Sequence, residues 1–217
     1  MKHHCVLFCL MLSLSIGLPQ AIAAGEKGAR QVTILAINDV YRLDNLAYVR
    51  SLRSQLEETS GDVLLLHAGD FLFPSLLSRR FNGEQMVDVL NYLDGDGKAF
   101  DPKMFIIFGN HEFDKSKLKH AKMLQSRIKE SQFIWLNSNV AFKRVFHGKS
   151  LVQAKQMRQS RIVEVNGVKV GLFGVVTDIK QPEYVERFLP LEQTMRRTVN
   201  SLRQRGAEFV IAVTHFR

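Results

Sequence analysis

The amino-acid sequence predicts a layered α/β protein with mixed sheets. Five short apolar runs are typical of buried strands, and segments with helical spacing lie between them. The runs are almost continuously apolar, as expected for strands that are covered on both faces. Residues 161–165 and 168–174 flank Asn166 and Gly167, a preferred two-residue turn between antiparallel strands. This alternation predicts strands and helices packed in layers, with at least one antiparallel pair.

The predicted elements follow one another from residue 32 onward. Strands are predicted over 32–37, 63–67, 104–108, 133–136 and 209–213. Asp44 is predicted to cap the first helix, because its short acidic side chain can accept hydrogen bonds from free N–H groups. Apolar residues then recur at helical spacing at Leu46, Val49, Leu52 and Leu56. Three further helices are predicted over 84–93, 116–129 and 191–205.

Residues 1–23 predict a signal peptide. A basic start precedes the apolar run 5–18, and the Ala-Ile-Ala at 21–23 has the small-x-small pattern that signal peptidase recognises. The run is too short for a membrane-spanning helix, which needs about 20 residues; the alternative is an anchor that is never cleaved. Both cysteines, Cys5 and Cys9, lie in this segment, so a mature chain from residue 24 has no thiol. We therefore expect a secreted or periplasmic protein whose mature chain has no membrane span.

The formal net charge of +9 favours anionic partners such as phosphate esters. The alternative is that the basic residues form solvated helix faces. Nucleic-acid binding is not expected, because no aromatic residues are interleaved with the basic ones as in a single-strand groove. Charge is therefore compatible with a phosphate-ester substrate but does not identify one.

Polar residues follow four of the predicted strands at the point where each strand ends. They are Asn38-Asp39, Gly69-Asp70, Gly109-Asn110-His111 and Thr214-His215. Loops are polar in general, so any one of these groups alone is a weak signal. Since ligands of α/β sheets gather outside the carboxyl ends of the strands, we expect the four groups to converge.

The residue types at these strand ends suit a divalent metal site. Carboxylate and amide oxygens combined with an imidazole favour Mn, Zn or Fe over a thiolate-type structural zinc. Asp70 could bridge two metal ions about 3.5–4 Å apart, the spacing used to hydrolyse phosphate esters. Gly69 and Gly109 would let the backbone turn tightly and approach the site closely. The candidate ligands are Asp39, Asp70, Asn110 and His215.

With these residues the chain resembles the calcineurin-like metallophosphoesterases, and specifically their 5'-nucleotidase branch. The matching strings occur in the family's order and are INDV at 37–40, AGD at 68–70, GNHEFD at 109–114, LNSN at 136–139 and VTH at 213–215. GNHEFD is the most specific of them. The resemblance implies a layered αββα sandwich and a metal-dependent phosphoester hydrolase that uses a two-metal-activated water, with a nucleotide as the expected substrate.

The resemblance also implies roles for individual residues. Asp39 would bind the first metal ion and Asp70 would bridge both, while Asn110 and His215 would bind the second. Asn137, in the fourth matching string, is a further residue that could bind a metal ion or support the ligands.

His111 and Asp114 are the catalytic residues that the resemblance implies. His111 would face the substrate phosphate and stabilise the transition state or protonate the leaving oxygen, and Asp114 would hold its imidazole in position. The alternative is that both residues cap the start of the helix predicted from residue 116.

The chain departs from the family in two ways. Tyr41 stands where the family has a histidine that also binds the first metal; it could be a phenolate ligand, or it could pack and form hydrogen bonds beside the site. The family's later Gly-His-x-His block is not present in the sequence. We therefore expect 24–217 to be the N-terminal part of a metallophosphoesterase domain that is incomplete at its C-terminus, without the nucleotide-binding C-terminal domain. The alternative function is a catalytically impaired, secreted binding or scaffold protein.

Overall fold

The computed structural model describes residues 30–144, 148–177 and 181–216. The predicted signal peptide, residues 1–23, lies outside the described residues. Within them, no helix combines the length and the apolar character that a membrane crossing needs.

The described residues contain all five predicted strands and the predicted hairpin, with ends shifted by at most two residues. The strands are β1 (Thr33–Ile37), β2 (Val63–His67), β3 (Met104–Ile107), β4 (Ile134–Leu136), β5 (Val140–Phe142), β6 (Met157–Arg158), β7 (Ser160–Val165), β8 (Val168–Val176), β9 (Val185–Phe188) and β10 (Phe209–His215). The α-helices are α1 (Asp44–Ser60), α2 (Leu76–Phe81), α3 (Glu84–Leu90), α4 (Leu118–Glu130) and α5 (Leu191–Gln204). A one-turn 3-10 helix covers His111–Phe113.

The first sheet is wholly parallel, with the strand order β1-β2-β3-β4-β6. Successive side chains of a strand point to opposite faces, so each strand contributes to two cores. On one face, Leu65 belongs to a core with Leu46 of α1 and Leu124 of α4. On the other face, Leu64 belongs to a core with Leu172 of β8. Burial on both faces explains why these strands are almost continuously apolar.

The second sheet is mixed and has the order β10-β8-β7. β10 runs parallel to β8, and β7 runs antiparallel to it across a turn in which Asn166 and Gly167 have φ values of 48° and 78°. Its outer face packs against α5 through Phe173 and Leu202. The layers are therefore helices, first sheet, second sheet and α5, which confirms the predicted αββα sandwich with mixed sheets.

The prediction of Asp44 as a helix cap is wrong. Leu43 occupies the N-cap position without a capping side chain, and Asp44 is the first residue of α1. Its carboxylate pairs with the guanidinium of Arg42 at 2.6 Å. The helix thus begins one residue earlier than a capping role for Asp44 requires.

Candidate metal centre

The ends of strands from both sheets line one cavity of about 600 Å³. β1, β2 and β3 of the first sheet and β10 of the second all end at this cavity. Because parallel strands place their carboxyl ends at the same edge, the polar residues that follow them meet there. The residues lining the cavity are Asn38, Asp39, Ala68, Asp70, Asn110, His111, Thr214, His215 and Phe216.

Three of the four predicted metal ligands form a compact cluster. Asp39, Asp70 and His215 each offer one ligand atom, and these atoms all lie within 4.8 Å of one another. The fourth, Asn110, is buried, and its Oδ1 lies 3.1 Å from Nε2 of His215. Two carboxylates, an amide oxygen and an imidazole in this arrangement fit a divalent cation of the Mn, Zn or Fe type.

The orientation of His215 suits it to a ligand role. Its Nδ1 lies 2.7 Å from the carbonyl oxygen of Ala68, which can only accept, so Nδ1 carries a proton and donates. Nε2 then faces the cluster, 3.3 Å from Oδ2 of Asp70. Burial lowers the pKa of His215, but the hydrogen bond to Asp70 and its charge outweigh burial and raise the pKa to about 9 in the metal-free protein.

Tyr41 lies between the two carboxylates of the cluster. Its hydroxyl is 3.1 Å from Oδ1 of Asp39 and 3.2 Å from Oδ2 of Asp70. Burial, and then the negative charges of Asp70 and Asp39, raise the pKa of Tyr41 far above its usual value. In the metal-free protein the phenol is therefore protonated and donates a hydrogen bond to these carboxylates.

His111 and Asp114 form a hydrogen-bonded pair at the wall of the cavity. Nδ1 of His111 lies 2.7 Å from Oδ2 of Asp114, and Nε2 lies 3.9 Å from Oδ2 of Asp70. A carboxylate accepts, so this contact places a proton on Nδ1 and leaves Nε2 on the side of the carboxylate cluster. The alternative cap role does not match the geometry, because α4 begins at Leu118 after Lys117, which has no capping side-chain hydrogen bond.

Asn137 does not line this cavity. Its amide Nδ2 donates to the carbonyl oxygen of Val140 at 2.9 Å, and its Oδ1 accepts from the backbone N–H of Val140 at 3.0 Å. Nδ2 also lies 3.7 Å from the sulfur of Met157. The structure therefore places Asn137 in the turn between β4 and β5.

The two glycines of the site bring the loops after β2 and β3 into close contact. A Cβ on Gly69, whose φ is 86°, would lie 2.3 Å from the backbone nitrogen of Gly109. A Cβ on Gly109 would lie 2.1 Å from Oδ1 of Asp70. Neither position can accommodate a side chain without displacing the neighbouring loop, which accords with the close approach predicted for these glycines.

Glu112 is a site residue to which the sequence reasoning assigned no role. It is part of the GNHEFD string, and its fully buried carboxylate accepts hydrogen bonds from backbone N–H groups of both glycine loops. The string itself was the available signal, because a glutamate that is buried must find hydrogen-bond donors.

Comparison with known proteins agrees with this geometry. A family model for calcineurin-like phosphoesterases matches residues 32–216. A protein named 5NUC from Lutzomyia longipalpis is 26% identical over 235 residues, which cover 96% of this chain and 38% of that protein. A protein described as "Probable 5'-nucleotidase" from Treponema pallidum (strain Nichols) is 27% identical over 168 residues, which cover 74% of this chain and 25% of that one.

Solved structures share the fold. The 5'-nucleotidase precursor from Thermus thermophilus matches with a TM-score of 0.69 at 21% identity, covering 85% of this chain and 37% of that one. The NAD nucleotidase from Haemophilus influenzae matches with a TM-score of 0.66 at 22% identity, covering 85% of this chain and 34% of that one. The chain thus spans less than two fifths of the length of each of these relatives. On the family match over most of its length, the chain belongs to the calcineurin-like phosphoesterase family.

Proposed function

We propose that this chain carries the site of a metal-dependent phosphoester hydrolase of the 5'-nucleotidase type that uses two divalent cations. The observation that supports the proposal most directly is the cluster of Asp39, Asp70 and His215 in the same cavity as His111. Metal ligands and an imidazole that can donate or accept a proton are the two components that such hydrolysis needs.

The cluster suggests how two cations would be held. Asp39 and Asp70 would bind the first, and Asp70, Asn110 and His215 would bind the second. When bound, such cations lower the pKa of water and neutralise charge on phosphoryl oxygens. The oxygen and nitrogen donors are compatible with Mn, Zn or Fe, and do not single out one of them.

His111 would supply the proton chemistry. Its Nδ1 proton is held by Asp114, so the ring keeps one orientation and Nε2 would face a phosphate ester that bound in the cavity. A protonated Nε2 would donate to a phosphoryl oxygen or to the leaving oxygen as the ester bond breaks, which is general-acid catalysis.

The proposed substrate is a phosphate ester, specifically a nucleotide. The names of the Treponema and Thermus relatives and the positive net charge of the chain support this choice. Secretion or delivery to a periplasm is proposed on the signal-peptide pattern of residues 1–23.

Hydrolysis assays with metal-loaded protein test the proposal. The chain is incubated with Mn²⁺ or Zn²⁺ and 5'-AMP or p-nitrophenyl phosphate, and phosphate release is compared with that of His111→Ala. We expect metal-stimulated hydrolysis that falls about 100-fold or more in the variant, the usual contribution of a general acid. Leu118→Ala, which changes an exposed side chain nearby, serves as control and should retain activity. If wild type does not exceed His111→Ala, the proposal fails for this chain.

A second candidate function is a catalytically impaired binding or scaffold protein. The position of Tyr41, whose hydroxyl lies between Asp39 and Asp70, favours it, since a cation would have to compete for the same carboxylate oxygens. This candidate predicts less than one tightly bound metal per chain and a fold that persists without metal. Elemental analysis that finds two tightly bound metals would eliminate it.

A further inference from the structure

Glu112 is a buried carboxylate that has no part in the reaction described above. Its side chain is completely inaccessible to solvent, and both of its oxygens accept hydrogen bonds from backbone N–H groups. Oε2 accepts from Asp70 at 2.9 Å and from Gly109 at 2.7 Å. Oε1 accepts from Phe71 at 2.9 Å and from Leu72 at 3.0 Å. One side chain thus satisfies four backbone donors from the loops after β2 and β3.

A further hydrogen bond joins the two loops, with its donor on the loop after β3 and its acceptor on the loop after β2. Oδ1 of Asp70 accepts a hydrogen bond from the backbone N–H of His111 at 2.8 Å. Asp70 has a φ of 58°, in the left-handed region that is unfavourable for residues other than glycine. Such a conformation persists only where the surroundings hold it in place. The hydrogen bond from the N–H of Asp70 to Glu112 acts directly on this strained residue.

We propose that Glu112 is a positioning residue, which holds the loop after β2 against the loop after β3 and thereby directs the Asp70 carboxylate toward the cation site. The inference rests on the metal site of the proposed function. The four N–H donors use both oxygens of the carboxylate, since each oxygen can accept two hydrogen bonds. Glu112 is not among the residues that line the cavity, so it acts through Asp70 and does not contact substrate.

Glu112→Gln tests the role without changing the size of the side chain. The substitution replaces one acceptor oxygen by an NH₂ donor, and either orientation of the amide sets that NH₂ against two backbone N–H groups. We expect Mn²⁺ to bind about 10–100-fold more weakly, the range observed when groups that orient metal ligands are changed. We also expect faster hydrogen exchange at the backbone amides of Asp70, Phe71, Leu72 and Gly109.

Asp101→Asn is the matched control for replacing a buried carboxylate by an amide. Asp101 is buried and lies outside the cavity. Its carboxylate accepts hydrogen bonds from the guanidinium of Arg53 and from the backbone N–H of Lys103. This variant should melt at a lower temperature but keep the Mn²⁺ affinity of wild type. A merely structural role for Glu112 would produce the same pattern in Glu112→Gln.

Calorimetric Mn²⁺ titration of the folded proteins, and residue-resolved hydrogen exchange of the metal-free proteins, give the readouts. The proposal is supported if Glu112→Gln binds Mn²⁺ more weakly and exchanges faster while Asp101→Asn shows neither change. It is overturned if folded Glu112→Gln binds Mn²⁺ with wild-type affinity. If that variant does not fold, hydrogen exchange of the wild-type protein gives the answer. Slow exchange of the four amides supports the proposal, whereas exchange as fast as in the exposed loop around Phe100 overturns it. If wild type binds no Mn²⁺, the proposed function fails, whereas the exchange data still decide whether Glu112 holds the two loops.

Discussion

Tyr41→Phe removes one hydroxyl from between two carboxylates, and the sign of its effect on metal binding reveals what that hydroxyl does. The hydroxyl lies 3.1 Å from Asp39 and 3.2 Å from Asp70. A hydrogen bond to a charged group stabilises a protein by about 1.5–3 kcal/mol, and the partial exposure of this contact favours the lower end. We therefore expect the metal-free variant to be less stable by about 1.5 kcal/mol, which lowers the melting temperature of a protein of this size by about 3–6 °C.

The same change should strengthen metal binding. A cation that approaches Asp39 and Asp70 competes with the hydroxyl for their oxygens. Without the hydroxyl, the cation no longer has to displace these hydrogen bonds, so its binding free energy becomes more favourable. A gain of about 1.4 kcal/mol corresponds to a tenfold tighter dissociation constant. Thermal melts in the presence of chelator and calorimetric Mn²⁺ titration measure the two effects separately.

Tyr48→Phe provides the control for this experiment. Tyr48 lies on α1 and is 72% exposed, so the same chemical change there should alter neither the melt nor Mn²⁺ binding. Weaker Mn²⁺ binding in Tyr41→Phe than in wild type would refute the reasoning, because it would mean that the phenol binds the metal as a phenolate. An unchanged melting temperature would show instead that the hydrogen bonds of the hydroxyl do not stabilise the metal-free protein.

Two further tests, which use three substitutions, address the geometry and the chemistry of the site separately. Gly69 and Gly167 both have left-handed φ values, but a Cβ on Gly69 would lie 2.3 Å from a backbone nitrogen, whereas one on Gly167 meets open space. We expect Gly69→Ala to destabilise by about 1–3 kcal/mol more than Gly167→Ala in chemical denaturation, and only Gly69→Ala to weaken Mn²⁺ binding; equal losses would contradict the close contact. Asp114→Asn should lower kcat for a phosphomonoester about 10–100-fold without a shift in the melting temperature, because the side chain of Asp114 is about half exposed and contacts His111. Unchanged kcat would exclude its positioning role.

The core of the fold was predictable because its strands are buried on both faces. β2 was predicted with correct ends, since all its residues are buried and its apolar run has clear limits. Asn166 and Gly167 identified the hairpin because few other residue pairs adopt two consecutive left-handed conformations. The strands and the α-helix that were missed are short: α2 has six residues, β9 four, β5 three and β6 two, which is too few to show a clear periodicity.

The candidate site was predictable as a set of residues but not as a set of contacts. Strand ends and the matching strings predicted that the four candidate ligands would meet, and the structure brings Asp39, Asp70, Asn110 and His215 to one cavity. His215 reaches this cavity from the second sheet, so the strand ends that meet there belong to two sheets and not to one edge of a single sheet. The contacts of Tyr41 and Glu112 depend on how two loops approach each other in three dimensions, and no sequence spacing encodes that approach.

The geometry of the site explains why a cation would find the two carboxylates already held close together. Two carboxylates held within 4.8 Å of each other repel by about 3–4 kcal/mol at an effective dielectric constant near 20. They would move apart if their loops were free, but Asp39 and Asp70 both sit on left-handed backbone, and the loop of Asp70 is tied to the neighbouring loop by hydrogen bonds. The repulsion is therefore retained in the metal-free protein and only partly offset by Tyr41 and His215. A divalent cation that bound there would relieve it, so we expect metal affinity to depend on the rigidity of these loops as well as on the ligands themselves.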